Sequence, residues 1–456
     1  MTTRRRIGIA LAAMVVLLIA AGIGRSVWRR AQEPKHEGRT AGEWLDYLAG
    51  FSEGGNLHDE RTRKEAEIAF RSLGEIGQRQ LIHEYLSYKR PTGLQTNLYA
   101  WGEKLPHSLR LSFLRSPVPR LSASREVLRM IRPPWETFQP EITTMFAAGG
   151  NRALAATTLL RYVGRGGTNA APLLVSSPTN AAPRFRVLAL RALEELTTNA
   201  SPALPTLLSW AEQWTPGTSM QGVNRMILDA ITASGKPEGE ASELLDALFR
   251  ASTQAADQRV LATALLRIQP DHGAAFALLA EQLKAGTNQP GNLPRDVFSS
   301  FLYPHRPPSP AYSRLARPLI DSRTHWFLAA QVMLRNDPVA GVAVLHDKLA
   351  NERFNTEGLG ILDLLLRHDP HDETALAFLG TQVNDDFFPR NQLRTLIVPM
   401  YRHCLPDSPG VVELLKSIQP APDDEALRKV IRETLRHIEL NGKLKELRER
   451  DDARQR

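Results

Sequence analysis

The densest group of metal-ligand side chains in the sequence lies near the carboxyl end. It comprises His368, Asp369, His371, Asp372 and Glu373. Imidazole and carboxylate groups bind divalent metals when they converge on one point. An aspartate that precedes a helix has a simpler use, because its carboxylate accepts hydrogen bonds from the free N–H groups of the first turn. We therefore predict that Asp369 or Asp372 caps a helix and that no metal is bound here.

A nucleophilic site is the second chemical possibility. Cys404 is the only cysteine, which excludes an intramolecular disulfide and a cysteine-rich metal site. No general base accompanies it in the sequence, so we predict a buried, unreactive thiol. The glycine-rich stretch 164–167 follows a predicted helix and no strand, which predicts a turn and no phosphate-binding loop. We expect no catalytic residue and no cofactor, and hence no enzyme.

Cationic side chains recur beside regularly spaced prolines in the second half of the chain. Pro270, Pro304, Pro338, Pro370 and Pro406 lie 34, 34, 32 and 36 residues apart, each between two apolar helical stretches. The neighbouring cations are Arg267, His272, His305, Arg335, Arg367, His368, His371, Arg402 and His403. If the repeats stack in register, these side chains line one edge. They either stabilise the carboxyl ends of helices or dock an anionic segment of a protein partner.

These side chains need repeated helix pairs to position them. In Arg184–Trp214, apolar residues recur at helical spacing up to Leu196, and a second apolar stripe begins at Leu204. The turn is 197–200, Ser201 can cap the second helix, and Pro202 fits its first turn. Neither helix is long enough to be stable alone, so the pair requires neighbours of the same kind.

The pair resembles a short bacterial HEAT repeat. The resemblance rests on Arg186, Ala189, Ala192, Leu193, Leu196, Ala200, Ala203, Leu204, Pro205, Leu207 and Leu208, with a second match at Ala69–Gln80. There, 73–77 has the form of a helix end and turn, and Gly38–Leu48 resembles the capping helix of membrane-anchored bacterial HEAT proteins. The resemblance implies an all-α fold, an α-solenoid of stacked antiparallel helix pairs. A period near 34 also fits tetratricopeptide repeats, although their Trp-Leu-Gly-Tyr framework is missing.

The amino-terminal stretch predicts a membrane segment. Residues 1–6 are basic, and 7–24 form an uncharged run of 18 residues, about 27 Å as a helix. Its length favours a transmembrane anchor over a cleaved signal peptide. The arginines before it and those in the polar linker 25–39 favour opposite orientations. The resemblance favours an extracytoplasmic, periplasmic array; secretion after cleavage and a cytoplasmic orientation are the alternatives.

The remaining chain is predicted to be a single array from 40 to 440, followed by a charged tail at 441–456. Residues 89–139 are rich in proline and glycine breaks, which indicates either an irregular repeat or a functional insertion.

Charge and family pattern restrict the function. The first 39 residues carry a net charge of +6 out of the total of +8, so the folded part is nearly neutral. A nucleic-acid binder needs clustered cations on its binding surface, and we expect none here. HEAT-type iron enzymes place His-Glu pairs on successive repeats, whereas this chain has only His36-Glu37 and His83-Glu84. We expect a non-enzymatic scaffold or adaptor that binds protein and no small-molecule ligand. The alternative is a ligand-binding or enzymatic protein that uses the turn edge or 89–139.

Overall fold

The computed structural model describes most of the chain after the first 32 residues. The described residues are 33–50, 56–87, 92–103, 116–164, 166–176, 183–214, 222–234, 239–286, 297–298, 301–302, 308–322, 324–351, 356–383, 397–408, 410–418, 420 and 424–454. They fold into α-helices, short 3-10 helices and two short strands, which confirms the all-α prediction. The chain divides into two compact units, Met1–Ile131 with Leu447–Arg456, and Arg132–Glu446.

The described part of the first unit is built from two short strands, four helices and the carboxyl-terminal end of the chain. The strands β1 (Lys35–His36) and β2 (Arg39–Thr40) pair antiparallel. The helices are α1 (Ala41–Leu48), α2 (Glu60–Ser87), α3 (Gly93–Glu103) and α4 (Val118–Ile131). α1 packs on both α2 and α4, and α2 packs on α4.

α1 confirms the helix that the sequence predicts near residue 40. Thr40 and Glu43 form a capping box, in which each side chain bonds the backbone N–H of the other residue. The apolar face is buried, with Trp44 and Leu48 both at 3% exposure or less. The indole N–H of Trp44 donates to the carbonyl of His36 at 3.1 Å, which holds the two-stranded segment on the helix. The end of the predicted linker is therefore structured.

α2 consists of two helical segments joined at Gly74. This residue has φ +60° and ψ −145°, a conformation that interrupts the helix and suits glycine. The break falls inside the stretch 73–77, where the sequence predicts a helix end and turn. A Cβ atom on Gly77 would lie 2.6 Å from the Cβ of Leu73, so this position also requires glycine. The first helix pair is therefore confirmed with its turn.

The second unit consists of consecutive helices of about two to four turns. They are α5 (Trp135–Ala148), α6 (Gly150–Leu160), α7 (Ala171–Ser176), α8 (Pro183–Leu196), α9 (Leu204–Ala211), α10 (Val223–Ser234), α11 (Glu240–Ala251), α12 (Ala255–Ile268), α13 (Gly273–Gly286), α14 (Pro310–Ala316), α15 (Trp326–Asn336), α16 (Pro338–Asn351), α17 (Thr356–His368), α18 (Glu373–Val383) and α19 (Val411–Ser417). Among the described residues, 3-10 helices accompany them at Gly167–Asn169, Thr197–Ala203, Arg317–Leu319 and Val398–His403.

The pair α8 and α9 lies where the sequence predicts two helices, but its turn differs from the prediction. Leu190, Leu193 and Leu207 are buried at 1% exposure or less, as expected for the two apolar stripes. The turn is a 3-10 helix, and α9 begins at Leu204 with Pro205 in its first turn and no side-chain cap. The predicted cap at Ser201 is therefore wrong, because continuous 3-10 structure carries the chain into α9.

Helix contacts in the second unit are local in sequence. Among the described residues, its extensive helix–helix contacts join helices that are next or next but one along the chain. One row of such contacts runs from α6 to α8, α10 and α12, and another runs from α15 to α17 and the 398–403 segment. In the described part of this unit, the extensive α-helix contacts are therefore made between helices close in sequence.

The final helix, α20 (Glu425–Arg454), differs from the predicted tail. It continues through 441–454, where the sequence predicts a separate charged segment. Within the first unit, Arg448 Nη2 lies 3.0 Å from Glu67 Oε1, and Arg71 Nη1 lies 2.9 Å from Asp451 Oδ2. These ion pairs bind the last two turns to α2, so the predicted boundary at 440 is wrong.

Some predictions fall outside the described residues. These are the basic start at 1–6, the apolar run 7–24, most of the linker 25–39 and His305. In the part of the chain that the structure describes, no helix has both the length and the apolar composition needed to cross a bilayer.

Candidate interaction edge

Arg267 is the most buried member of the predicted cationic edge. It lies in the last turn of α12, and its side chain is only 2% exposed. Its Nη1 donates to Asp229 Oδ1 and to Thr232 Oγ1 of α10, both at 2.9 Å. Arg267 is therefore not exposed to a partner, because the neighbouring helix supplies the carboxylate and hydroxyl that satisfy its charge.

His272 precedes α13 and is also held internally. Its Nε2 lies 3.0 Å from Asp246 Oδ1 of α11, and its Nδ1 accepts from the N–H of Ala275 at 3.2 Å. The ring of Phe249 packs edge-on against it at 5.9 Å. The neutral imidazole with its proton on Nε2 satisfies both bonds.

Asp372 confirms the capping prediction for the dense His/Asp cluster. Its Oδ1 accepts from the N–H of Ala375 at 2.9 Å, in the first turn of α18. Its carboxylate also lies 2.8 Å from Nε2 of His346, which belongs to α16. Asp369 accepts from the N–H of His371 at 2.8 Å. In the described part of the chain, no group of three or more His, Cys, Asp or Glu residues is placed to hold a metal ion.

The carboxylate of Asp363 in α17 forms ion pairs with three members of the predicted edge. Arg367 Nε lies 2.9 Å from one carboxylate oxygen, while His403 Nε2 at 3.1 Å and Arg402 Nη2 at 3.5 Å approach the other. Burial raises the pKa of the Asp363 carboxyl, but the hydrogen bond from His403 and the charges of Arg367 and Arg402 outweigh it, so the pKa is lowered. The 398–403 segment is thus fastened to α17.

The remaining predicted members differ in exposure. His371 Nε2 lies 3.6 Å from Asp407 Oδ1, at the loose end of ion-pair distances. Arg335 is half-buried, and burial lowers the pKa of its guanidinium. His368 is exposed at the end of α17. Four of the eight described members, Arg267, His272, Arg402 and His403, therefore lie within ion-pair distance of a carboxylate on a neighbouring helix.

Cys404 and Tyr401 are buried close in sequence to Arg402 and His403. Both residues are at 1% exposure or less. Burial raises the pKa of the Cys404 thiol to about 12, although a hydrogen bond with Ser408 opposes the shift. Burial and the charge of Cys404 raise the pKa of the Tyr401 hydroxyl as well. A thiol with so high a pKa is protonated at neutral pH, which agrees with the predicted unreactive role.

Two contacts between turns were missed by sequence reasoning. Thr168 donates to Asn199 Oδ1 at 3.1 Å, which joins two copies of the repeated Thr-Asn-Ala motif. Arg314 of α14 lies 2.9 Å from Asp271. The repetition of Thr-Asn-Ala at 168–170 and 198–200 is a sequence signal for the first contact.

Comparison with protein-family models, with curated proteins and with solved structures found no match.

Proposed function

We propose that the second unit is an α-solenoid of HEAT type and that the protein is a non-enzymatic scaffold or adaptor. The observation that carries the proposal is the local packing of the second unit, where helices contact those next or next but one along the chain. Stacked repeats contact only their neighbours, and this arrangement provides an extended surface for a protein partner.

Two further observations support the HEAT assignment. The break at Gly74 and the α8–α9 pair both fall where the resemblance places a helix pair. Arg267 and His403 of the cationic edge are paired with carboxylates of neighbouring helices. This pairing favours a partner-binding surface elsewhere on the array over a reactive site at the cationic edge.

The architecture has a direct test in solution. We expect a fragment comprising 132–446 to be strongly helical by circular dichroism and elongated by small-angle scattering. A compact globule of this length has a radius of gyration of about 20 Å. A value near that figure in a folded fragment contradicts the solenoid.

We further propose that 7–24 anchor the chain and that the array lies outside the cytoplasm. Protease added to spheroplasts digests the array in this orientation and spares it if it faces inward. Residue-specific photo-crosslinking of the intact chain in its native membrane tests the scaffold function. Crosslinks from exposed helix surfaces to one defined protein support it, and crosslinks to lipid alone contradict it.

A further inference from the structure

The opposite ends of the same helices carry a second row of arginines. Arg152, Arg186, Arg225 and Arg259 are the third, fourth, third and fifth residues of α6, α8, α10 and α12. We call these four residues the amino-terminal arginine edge. They lie at the other ends of the helices from Arg267, whose charge is used internally.

Contacts at the carboxyl ends align these helices. Arg161, which follows α6, lies 3.3 Å from Glu195 near the end of α8. Arg267 near the end of α12 contacts Thr232 near the end of α10 at 2.9 Å. α6 therefore runs parallel to α8, and α10 to α12, while α8 packs on α10. The amino-terminal ends of each pair, with their arginines, consequently lie side by side.

Three of the four arginines have no carboxylate partner. Arg225 is paired with Asp229 in its own helix at 3.2 Å. Arg152, Arg186 and Arg259 make no ion pair with any residue that the structure describes. The Nε atoms of Arg186 and Arg259 are buried without a hydrogen-bond acceptor in that same part of the chain.

The sequence around Arg152 and Arg186 lacks acidic residues, whereas the buried Asp257 lies in the first turn of α12, two residues before Arg259. No acidic residue occurs between Glu141 and Glu194, a stretch that contains six arginines. The connections 177–182 and 215–221, before α8 and α10, contain no charged residue. Glu212, at the end of α9, is exposed but forms no ion pair with the arginines among the described residues. The charges near Arg152 and Arg186 therefore favour an anion at the amino-terminal ends of α6 and α8.

The amino-terminal ends of these helices add backbone N–H donors and partial positive charge to the arginine side chains. α6 and α12 have no side-chain cap at Gly149 and Gln254, so their first N–H groups are not satisfied by a capping side chain. The helix dipole makes such ends favourable for carboxylates. Arg186 stacks over the ring of Trp210 at 5.0 Å, which fixes its guanidinium plane beside α9. Fixed guanidinium groups suit bidentate bonds to carboxylates.

We infer that the amino-terminal arginine edge binds an acidic, extended segment of the protein partner, an inference that rests on the scaffold function proposed above. Neighbouring helices pack about 8–10 Å apart. An extended chain advances about 3.3 Å per residue, so three residues span one helix spacing. The matching ligand carries a glutamate or aspartate at every third position.

The test uses the full chain in detergent micelles and a fluorescent 12-residue peptide with glutamate at every third position. Binding is measured by fluorescence anisotropy at several salt concentrations. The triple variant Arg152→Gln, Arg186→Gln, Arg259→Gln should bind about tenfold more weakly, since each solvent-exposed charge pair contributes little by itself. The corresponding Arg→Lys triple variant should retain most of the binding, which separates loss of charge from loss of fold.

Two controls test whether binding depends on the amino-terminal arginine edge and on the spacing of the glutamates. The triple variant Arg335→Gln, Arg367→Gln, His368→Gln alters the other edge and should bind the peptide within twofold of the parent chain. A peptide of equal composition with its glutamates in one block should bind more weakly than the spaced peptide. Thermal unfolding followed by circular dichroism confirms that each variant is folded.

Three results overturn the inference. The first is unchanged peptide binding by the Arg→Gln triple variant of the amino-terminal edge. The second is equal loss in the variant of the other edge. The third is tighter binding of a single-stranded oligonucleotide or of anionic lipid vesicles than of the peptide. A failed peptide experiment combined with photo-crosslinks to a protein elsewhere on the array rejects this edge and leaves the scaffold function standing.

Discussion

Arg267 and Asp229 form a buried ion pair that joins α12 to α10 at 2.9 Å, with side-chain exposures of only 2% and 14%. The two residues are 38 positions apart, close to the period of the repeat prolines. Asp229 also accepts from Arg225 at 3.2 Å, so the carboxylate binds one arginine from its own helix and one from the next pair. The pair therefore fixes the register of two neighbouring repeats.

Arg267→Ala should destabilise the chain by about 3 kcal/mol. The substitution leaves the Asp229 carboxylate in a largely buried position with only part of its charge compensated. Arg225 supplies the remaining compensation. Urea unfolding of the full chain measures the loss as a lower midpoint. Arg250→Ala is the control, because its pair with Asp246 lies within one helix and its side chain is 76% exposed. We expect a change below about 0.5 kcal/mol for the control, and an equal change in the two variants contradicts the argument.

Leu193→Ala tests the core between repeats. Leu193 is fully buried in α8, so the deletion leaves a cavity and should cost about 2–5 kcal/mol. Ile76→Ala removes an apolar side chain that is 61% exposed in the turn after Gly74, and should cost little. Thermal unfolding of both variants, compared at equal protein concentration, measures the difference. Similar melting temperatures would show that Leu193 does not lie in a tightly packed core.

Local features of the fold could be predicted from the sequence. The capping box at Thr40, the glycine break at Gly74 and the stripe around Leu193 each depend on residues within one or two turns. Asp372 belongs to the same group, because a helix cap involves only its own first turn. Spacing and residue type determine such features, and both are visible in the sequence.

The partners of the charged side chains could not be predicted. Spacing placed Arg267 and His403 on one edge, but their exposure depends on Asp229 and Asp363, which lie 38 and 40 residues away. A helix pattern shows which residues share a face and does not show which carboxylate of the next helix reaches them. The prediction for the end of α20 was wrong for the same reason, because Arg448 contacts Glu67, which lies 381 positions earlier in the sequence.

Two glycine substitutions should act in opposite directions. Gly74→Ala places a Cβ on a residue with φ +60° and should destabilise the first unit by about 1–2 kcal/mol. Gly380→Ala fills open space inside α18 and should stabilise it by about 0.5–1 kcal/mol, because alanine favours a helix. Chemical denaturation of the two variants gives the two signs. Stabilisation by Gly74→Ala would mean that the two segments of α2 form one continuous helix.

Arg448→Ala tests the attachment of the last turns of α20 within the first unit. Glu67 is only 6% exposed and accepts from both Arg71 and Arg448. Loss of one charged hydrogen bond should cost about 1.5–3 kcal/mol. Hydrogen exchange should become faster at 60–71 and at 447–454 together. Lys443→Ala removes an exposed pair with Glu439 in the same helix and should leave exchange at 60–71 unchanged.

Asp363 gives the pH dependence of the second unit. Its pKa in the folded chain lies below the ordinary value of 3.8, so the fold favours the ionised carboxylate. The stability that it contributes is therefore present above about pH 4 and is lost as pH falls through the folded pKa. Asp363→Asn keeps the shape of the side chain and removes the charge that His403, Arg367 and Arg402 face. At pH 7 we expect a loss of about 1–3 kcal/mol.

The difference in the free energy of unfolding between the parent chain and Asp363→Asn should decrease as the pH falls from 5 towards 2. Protonation of Asp363 removes the same charge from the parent chain over that range. Denaturant unfolding at a series of pH values measures this convergence. Asp347→Asn is the control: Asp347 is exposed on α16 and makes no ion pair with the described residues. Its variant should follow the parent chain at every pH. A difference for Asp363→Asn that stays constant down to pH 2 would show that the amide disturbs packing and that the ion pairs contribute nothing.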